Sequence, residues 1–296
     1  MRNINVKNSL LLALTALVWG IAFVSQKSGG DAVGCFTFNA IRSFIGGIVL
    51  IPLVLFTVKK EKKEAFDLKG AIWGGMCCGF MLFIASNLQQ IGIKYTSAGK
   101  AGFITALYII IVPILSILLG KKMTLRIWIG AAAAVVGMYF LCVSGGEWLT
   151  LGNGALFLSS VWFAFHILVI DRFAEKHSGV LLSCVQFFTC AILSGVMIPL
   201  YESPSVSDVL SGYIPILYAG IMSCGVGYTL QIIGQKNMNP TVASLILSLE
   251  SVFAVIAGGI LLGEVLSFRE IIGCVIMFAA IIFVQLPERK SKEMLL

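Results

Sequence analysis

The hydrophobic residues of this chain form long blocks that cover every side of a helix, whereas a soluble helix shows an apolar stripe on one side only. Each block is about 20 residues long, which matches the hydrocarbon thickness of a bilayer. Because lipid offers no hydrogen-bond partner to the backbone, each block is predicted to form a transmembrane helix. The ten predicted spans are 9–27, 34–58, 70–93, 98–119, 125–144, 151–171, 179–200, 212–234, 241–263 and 268–286.

The composition agrees with this pattern. Of the 296 residues, 58% are hydrophobic and 12% are charged, whereas a soluble domain carries about 25% charged residues. The fold class is therefore predicted to be an all-α polytopic membrane protein with ten transmembrane helices. The eight cysteines lie almost entirely within the apolar blocks and form no C-x-x-C pair. We interpret them as packing residues and expect neither a metal site nor a cofactor.

The lysines and arginines in the links between spans predict the orientation. With the N-terminus inside, sixteen basic residues face the cytoplasm: Arg2, Lys7, Lys59, Lys60, Lys62, Lys63, Lys69, Lys121, Lys122, Arg126, Arg172, Lys176, Lys236, Arg289, Lys290 and Lys292. Four face outward: Lys27, Lys94, Lys100 and Arg269. Both termini are therefore predicted to be cytoplasmic, in a multi-pass protein of the plasma membrane. Because the net charge of +7 resides mainly in these links, we expect the bilayer and no nucleic acid as a partner.

The second half of the chain repeats the first. A shift of 143 residues places LLGKKMTLRIWIG (118–130) on LLGEVLSFREIIG (261–273) with six identities, and Val18-Trp19 on Val161-Trp162. A shift of 142 places QQIGIK (89–94) on QIIGQK (231–236). We predict two five-helix repeats, 1–146 and 147–296, in one membrane domain. Since five is odd, the second repeat is inverted, an arrangement typical of transporters that bind substrate near the bilayer midplane.

Several of these segments resemble a known family. The ten inverted spans and LLGEVLSFREIIGCVIMFAAIIF (261–283), with its Leu-Gly-Glu at 262–264 and Gly273, resemble the EamA-like drug/metabolite transporters. ALVWGIAFV (16–24) is similar to the family's first helix, and Arg42 to its second-helix arginine. The resemblance covers essentially the whole chain. It implies transport of a small molecule such as an amino acid, another metabolite or a toxic organic compound, often outward.

The chain departs from the family pattern at two places. Lys121 stands where the first repeat of the family has the glutamate of Leu-Gly-Glu. Ser251 follows Glu250, where a proline often follows in the family. The missing proline predicts a straighter ninth helix without a hinge at this position.

Glu250 is the most unusual residue of the sequence, because it is the only charged residue between Thr241 and Gly263. About 14 Å along its helix from Thr241, it lies near mid-depth of the bilayer. Intramembrane acids commonly lie on solute or proton pathways. We hypothesise that Glu250 faces a central cavity, where it binds a substrate amine or exchanges a proton. A structural bond to a neighbouring helix end is the alternative.

Other polar or aromatic residues within the spans are further candidates for the substrate site. Each also has a structural interpretation, as a packing group or a hydrogen bond between helices. The candidate substrate-binding residues, besides Glu250, are Trp19, Asn87, Gln90, Tyr108, Trp162, His166, Tyr228 and Ser248. The candidate gating or structural polar residues are Arg42, Gln89 and Gln231.

These observations favour a secondary transporter, and more specifically an exporter of a small organic solute such as an amino acid or related metabolite. No P-loop sequence indicates direct use of ATP. Efflux of drugs and organic cations by the same fold is the alternative. An embedded enzyme is a third class, but the chain has no H-E-x-x-H, no G-x-S-x-G and no two carboxylates within one span. We therefore expect no enzymatic activity.

The charge pattern predicts the topology directly. Reporter domains fused after Lys62 and Lys176 should lie in the cytoplasm, and those fused after Trp148 and Glu202 should lie outside, because the basic links stay on the cytoplasmic side. Paired alkaline phosphatase and green fluorescent protein fusions measure both outcomes. A fusion at Lys62 that reports outside would overturn the predicted orientation.

Overall fold

The computed structural model describes residues 6–60, 67–120, 123–142, 150–262 and 267–285. Within these residues the regular structure is helical throughout, without a strand. The first half contains α1 (Val6–Val33), α2 (Cys35–Lys60), α3 (Leu68–Ile93), α4 (Ala98–Thr105), α5 (Tyr108–Leu118) and α6 (Leu125–Cys142). The predicted boundary between repeats at 146/147, together with Lys121, Gly263 and Glu264, lies outside the described residues.

The second half begins with α7 (Leu151–Phe173) and α8 (Gly179–Tyr201), followed by a short α9 (Val206–Ser211). A single long rod then runs through α10 (Tyr213–Leu217), a π-helical segment (Tyr218–Tyr228) and α11 (Thr229–Gln235). The chain continues with α12 (Pro240–Leu247), α13 (Glu250–Leu262) and α14 (Phe268–Gln285).

Eight of the helical stretches in the described residues are long and apolar enough to cross a membrane. They are 6–33, 35–57, 68–93, 98–118, 151–173, 179–201, 213–235 and 240–261. Eight of the ten predicted spans therefore correspond to such helices. The other two predicted spans correspond to the shorter apolar stretches Leu125–Gly137 and Ile271–Val284, in α6 and α14.

Contacts between helix ends define two opposite faces of the bundle. At one face the Asn8 side chain donates to the Lys236 carbonyl at 2.7 Å, so the start of α1 lies beside the end of α11. At the other face Lys27 Nζ donates to the Thr96 carbonyl at 2.6 Å, beyond the end of α3. Consecutive long helices therefore run in alternating directions. We call the first face the α1-start face and the second the α1-end face.

The connection between α1 and α2 is a single residue, Gly34, with φ +91°. A side chain at this position would be strained in this conformation and would also collide with the Glu202 carboxylate. That carboxylate accepts hydrogen bonds from the backbone N–H groups of Phe36 (2.9 Å) and Thr37 (2.8 Å). Glu202, just beyond α8, therefore caps the N-terminus of α2 and ties the two helices together at the α1-end face.

Close helix contacts in the centre depend on small residues. Gly20 in α1 lies against Phe253 and Ala254 in α13, and Gly79 in α3 lies against the backbone of Gln186 in α8. The other extensive pairs are α2 with α8, α3 with α7 and α6 with α14. Small side chains allow helix backbones to approach closely where lipid provides no hydrophobic driving force between helices.

Two of the spans are broken near the middle. Between α4 and α5, Leu107 N–H donates to the Ile104 carbonyl and Ile109 N–H to the Ala106 carbonyl, three residues back instead of four. Between α12 and α13, Leu249 donates to Ile246 and Ser251 to Ser248 in the same way. The ninth predicted span is therefore broken at this position, although the missing proline argued against a hinge. The break needs no proline, because tight three-residue bonds replace the regular ladder.

The close approach of α1 and α13 predicts a sharp difference between two glycine substitutions. Gly20→Ala should destabilise the protein by about 1–3 kcal/mol, because its new methyl group would lie 2.8 Å from the backbone nitrogen of Ala254. Gly195→Ala in α8 meets no atom within 4 Å and should be neutral or stabilising by up to about 1 kcal/mol. Thermal unfolding of both variants in detergent measures the difference. Equal midpoints would contradict the observed packing.

Candidate functional site

A small cavity lies in the centre of the bundle, beside the breaks in the two interrupted spans. Its volume is about 20 Å3, which leaves room for about one water molecule. Side chains from α1, α3, α4, α5, α7, the π-helical segment and α13 surround it. The lining residues are Trp19, Phe23, Gln26, Gln89, Thr105, Tyr108, Phe163, Ser223, Tyr228 and Glu250.

Glu250 is the acidic group of this cavity, and it is 3% exposed. It is the first residue of α13, directly after the break, so the break places its carboxylate at the meeting point of the helices. The Tyr108 hydroxyl, at the first turn of α5, donates a hydrogen bond of 2.9 Å to Glu250 Oε1. This bond joins the two interrupted spans through residues next to their breaks.

Aromatic rings form one wall of the cavity. The Trp19 and Tyr228 rings lie 4.5 Å apart between centroids. Trp19 Nε1 donates to the Ser223 carbonyl of the π-helical segment at 3.4 Å. The Tyr228 ring also makes edge-to-face contacts with the Phe187 ring, 5.5 Å away between centroids, and with the His166 ring, 5.9 Å away. A carboxylate beside electron-rich ring faces is an environment suited to a cationic group.

Amide side chains form another part of the wall. Gln89 Nε2 donates to Thr105 Oγ1 at 3.3 Å, which links α3 to α4. Gln90, the next residue, points elsewhere and donates to the Gln26 carbonyl at 2.6 Å. Gln26 Oε1 and Gln90 Oε1 are buried without a hydrogen-bond partner in the described part of the chain.

Four of the nine predicted substrate-binding residues line the cavity: Trp19, Tyr108, Tyr228 and Glu250. The structure also brings Gln89 there, which the sequence suggested as a gating or structural residue. The other five lie outside the lining. Trp162 packs on Phe165, with ring centroids 5.8 Å apart. His166 Nε2 lies 3.0 Å from Gln186 Oε1, behind Tyr228.

The remaining three make structural hydrogen bonds. Ser248 Oγ donates to the Leu245 carbonyl at 2.7 Å within its own helix. Asn87 Nδ2 donates to Ser194 Oγ at 2.9 Å, and Gln90 is bonded to α1 as described above. Of the other polar candidates, Gln231 is buried with Oε1 unpartnered within the described residues, and Arg42 lies beside the Phe38 ring.

Sequence reasoning missed Phe23, Gln26, Thr105, Phe163 and Ser223 as lining residues. Two of the differences are shifts of one position: Phe163 lines the cavity instead of Trp162, and Gln89 instead of Gln90. Successive residues point in directions about 100° apart around a helix. The predicted depth of a residue in the membrane can therefore be correct while the direction of its side chain is still undetermined. Ser223 could not have been singled out, since nothing local marks it.

Among the described ranges, no group of three or more His, Cys, Asp or Glu residues could hold a metal ion.

Comparison with known proteins agrees with this architecture. The EamA-like transporter family model matches residues 7–143 and again residues 150–286. The chain belongs to the EamA-like transporter family. A protein of known crystal structure has the same fold, with a TM-score of 0.75 at 20% identity, over 96% of this chain and 98% of that one.

Three curated relatives cover nearly the whole length of this EamA-like protein. An uncharacterized transporter of Archaeoglobus fulgidus is 29% identical over 93% of this chain and 84% of the relative. The uncharacterized transporter YoaV of Bacillus subtilis is 23% identical over 93% and 96%. A probable terminal-alkyne amino-acid exporter of Streptantibioticus cattleyicolor is 21% identical over 92% and 91%.

The Tyr108–Glu250 bond predicts a coupling that a double-mutant cycle can measure. Tyr108→Phe and Glu250→Gln should each change thermal stability, and their combined effect should differ from the sum by about 1 kcal/mol, since each substitution alters the same bond. Tyr218→Phe is the control, because the Tyr218 hydroxyl donates to the Val18 carbonyl instead. Additive effects of Tyr108→Phe with Glu250→Gln would mean that the bond does not contribute to folding.

Proposed function

We propose that this EamA-like protein is a secondary exporter of a small organic solute that carries an ammonium group, such as an amino acid or related metabolite. The observation that carries the proposal is the buried Glu250 carboxylate, which faces a cavity lined by aromatic and amide side chains. Export of an amino acid is also the role in the name of one relative, the probable terminal-alkyne amino-acid exporter.

A carboxylate in this position needs a partner, because burial of an ionised group without compensation is costly. The Tyr108 hydroxyl supplies one hydrogen bond, but a phenol carries no positive charge. A substrate ammonium group satisfies both the charge and the hydrogen bonding of Glu250, and Trp19 and Tyr228 offer ring faces beside it. A substrate ammonium group would then share this carboxylate with Tyr108, which bonds Oε1.

We further propose ten spans in two inverted five-helix repeats. The two family matches, 7–143 and 150–286, are offset by 143 residues at both ends. The break between α4 and α5 has the same three-residue hydrogen bonds as the break between α12 and α13, offset by 142 residues. The close pairs α2 with α8 and α6 with α14 each join equivalent helices of the two proposed repeats.

The candidate site lies where such a pseudo-twofold axis would pass. Tyr108 and Glu250 are 142 residues apart, so they occupy equivalent positions at the two breaks, and they are hydrogen-bonded to each other. Residues related by a twofold axis touch only close to that axis. A solute bound there is equally near to both repeats, which is the geometry that rocking of one repeat against the other requires.

In this mechanism the α1-start face is cytoplasmic, in agreement with the basic links, and the protein lies in the plasma membrane. The cavity has room for about one water molecule, so it must widen to take a solute. Motion at the breaks of α4–α5 and α12–α13 would open it to one side or the other. Protons are a candidate coupling ion, since a carboxylate in the membrane either binds a substrate ammonium group or takes up a proton.

Efflux of organic cations is the second candidate function. The aromatic wall and the single carboxylate favour it, because a bulky cation without a carboxylate satisfies both. The two functions differ in one respect: an amino acid also brings a negative charge, which needs its own partner. An enzymatic role has less support, since the cavity brings together one acid and no nucleophile with a base.

Glu250→Gln tests the proposal. The amide keeps the shape and hydrogen bonding but removes the charge, so transport should fall by at least about tenfold while the protein still folds. A thermal-shift screen of amino acids and organic cations first identifies a ligand. Its radiolabelled form is then followed in inverted membrane vesicles over a pH series.

Asp208→Asn is the matched control, because Asp208 is a partly exposed acid in the capping box of α9 and does not line the cavity. The Ser205 hydroxyl and backbone N–H lower the pKa of Asp208 by hydrogen bonding, so the loss of its charge perturbs only that short helix. Transport by Glu250→Gln at the wild-type rate across the pH series would end the proposal.

A further inference from the structure

Arg42 is a buried cation outside the cavity lining. It lies in α2 and is 3% exposed, and its guanidinium lies over the Phe38 ring, 5.4 Å from the centroid. Its Nε has no hydrogen-bond partner among the described residues. Phe38 is one turn nearer the α1-end face, so the side chain extends in that direction. At 3% exposure, however, it does not reach the surface, and simple snorkelling does not account for it.

Other buried polar side chains of α2 and α3 lie, like Arg42, in the half of the bundle nearer the α1-end face. Asn39 Nδ2 donates to Asn87 Oδ1 at 3.0 Å, and Ser43 Oγ lies 3.5 Å from Cys190 Sγ. Within the described chain, Asn39 Oδ1 and Gln90 Oε1 have no partner. We call Asn39, Arg42, Ser43, Asn87 and Gln90 the outer polar layer. The layer is buried, yet Asn39 Oδ1 and Gln90 Oε1 make no hydrogen bond within the described residues. Most buried polar atoms in a protein core have at least one hydrogen-bond partner.

Two acids of the bundle, Glu202 and Glu250, already accept hydrogen bonds from other groups. Glu202 is bonded to the backbone of Phe36 and Thr37 and to the Thr37 hydroxyl. Glu250 is bonded to Tyr108. A buried cation without an anion is costly, and buried cations in membrane helices usually have a partner or face a solute path. Arg42 therefore has the capacity to bind an anionic group that arrives from outside the chain.

The outer polar layer is continuous with the cavity. Gln26 lines the cavity, and its carbonyl accepts the hydrogen bond from Gln90 of the layer. Tyr228, on the cavity wall, lies within electrostatic range of both Arg42 and Glu250. Counted from the helix ends at the α1-end face, Arg42 and Glu250 differ in depth by about 8 Å at 1.5 Å per residue. A zwitterionic solute therefore joins the two groups once the Arg42 side chain turns from Phe38 towards the cavity.

We propose that Arg42 and the outer polar layer form the anion-binding half of the transport site, which takes the carboxylate of a solute whose ammonium group binds Glu250. This inference rests on the proposed function, since it extends the same site. The guanidinium offers paired N–H donors that match a carboxylate, and the bound zwitterion neutralises both buried charges at once. The protein then discriminates amino acids from simple amines through Arg42.

A ligand series tests this without any substitution. The standard amino acids are screened for binding to the purified protein, and each one that binds is compared with its carboxamide, which keeps the ammonium and the side chain but loses the negative charge. We expect the carboxamide to bind at least about tenfold more weakly. Equal affinities would overturn the inference and leave an ammonium-dependent transporter standing.

Variants then assign the effect to Arg42. Arg42→Gln should weaken amino-acid binding at least about tenfold and leave carboxamide binding unchanged, with Arg42→Lys intermediate. Glu250→Gln should weaken both ligands. The control is Arg126→Gln, since Arg126 Nε donates to the Phe283 carbonyl near the opposite face of the bundle; it should change neither affinity.

The outcomes separate the two proposals. If Arg42→Gln weakens amino acid and carboxamide equally, Arg42 is a structural residue and only this inference fails. If Glu250→Gln changes neither affinity, the proposed function fails. If the wild-type protein binds no amino acid but binds amines, Arg42 has no role in recognition and cation efflux is favoured. If it binds neither class, both proposals are wrong. Should Arg42→Gln not fold, the carboxamide comparison on the wild-type protein still decides.

Discussion

A carboxyl group inside an apolar helix bundle must be paired with a cation, hydrogen-bonded or protonated. Glu250 imposes this requirement at the centre of this protein, and the surrounding helices meet it. The helix that carries Glu250 is interrupted directly before it, so the carboxylate starts α13. Tyr108, beside the other break, supplies the hydrogen bond. Glycines such as Gly20 let α1 and α13 pack closely around the pair.

The same bond relates the fold to the transport hypothesis. Because its two residues come from equivalent places in the two halves of the chain, any movement of one half against the other changes their separation. A solute that binds Glu250 alters one of the contacts between the halves, and that contact lies next to both breaks. Solute binding and movement of the halves are then linked, because the solute makes different contacts in different conformations. A ligand shifts a conformational equilibrium only when it binds one conformation more tightly than another. Family membership alone does not supply such a link, since one fold serves many substrates.

Polar atoms without partners are concentrated on both sides of the cavity. Asn39 Oδ1 and Gln90 Oε1 lie towards the α1-end face, whereas His166 Nδ1 and Gln231 Oε1 lie towards the α1-start face, all unpartnered within the described residues. A purely structural core satisfies such groups. Their presence above and below a small cavity is typical of a route along which water or solute replaces the missing partners when one side opens.

The sequence by itself determined that the chain is a helical membrane protein, because block length and composition are set by bilayer thickness within each segment. Its motifs, and not its composition, carried the resemblance to the EamA-like family. It also identified Glu250, since an isolated charge in an apolar block is visible without any neighbour. Only the tertiary structure decided that Gln89 and Phe163, and not Gln90 and Trp162, line the cavity. Depth in the membrane follows from position along one helix, but direction changes by about 100° with each residue and is chosen by the helices packed around it. The break before Glu250 was likewise hidden, because no proline marks it and its three-residue hydrogen bonds form in the context of α1 and α4.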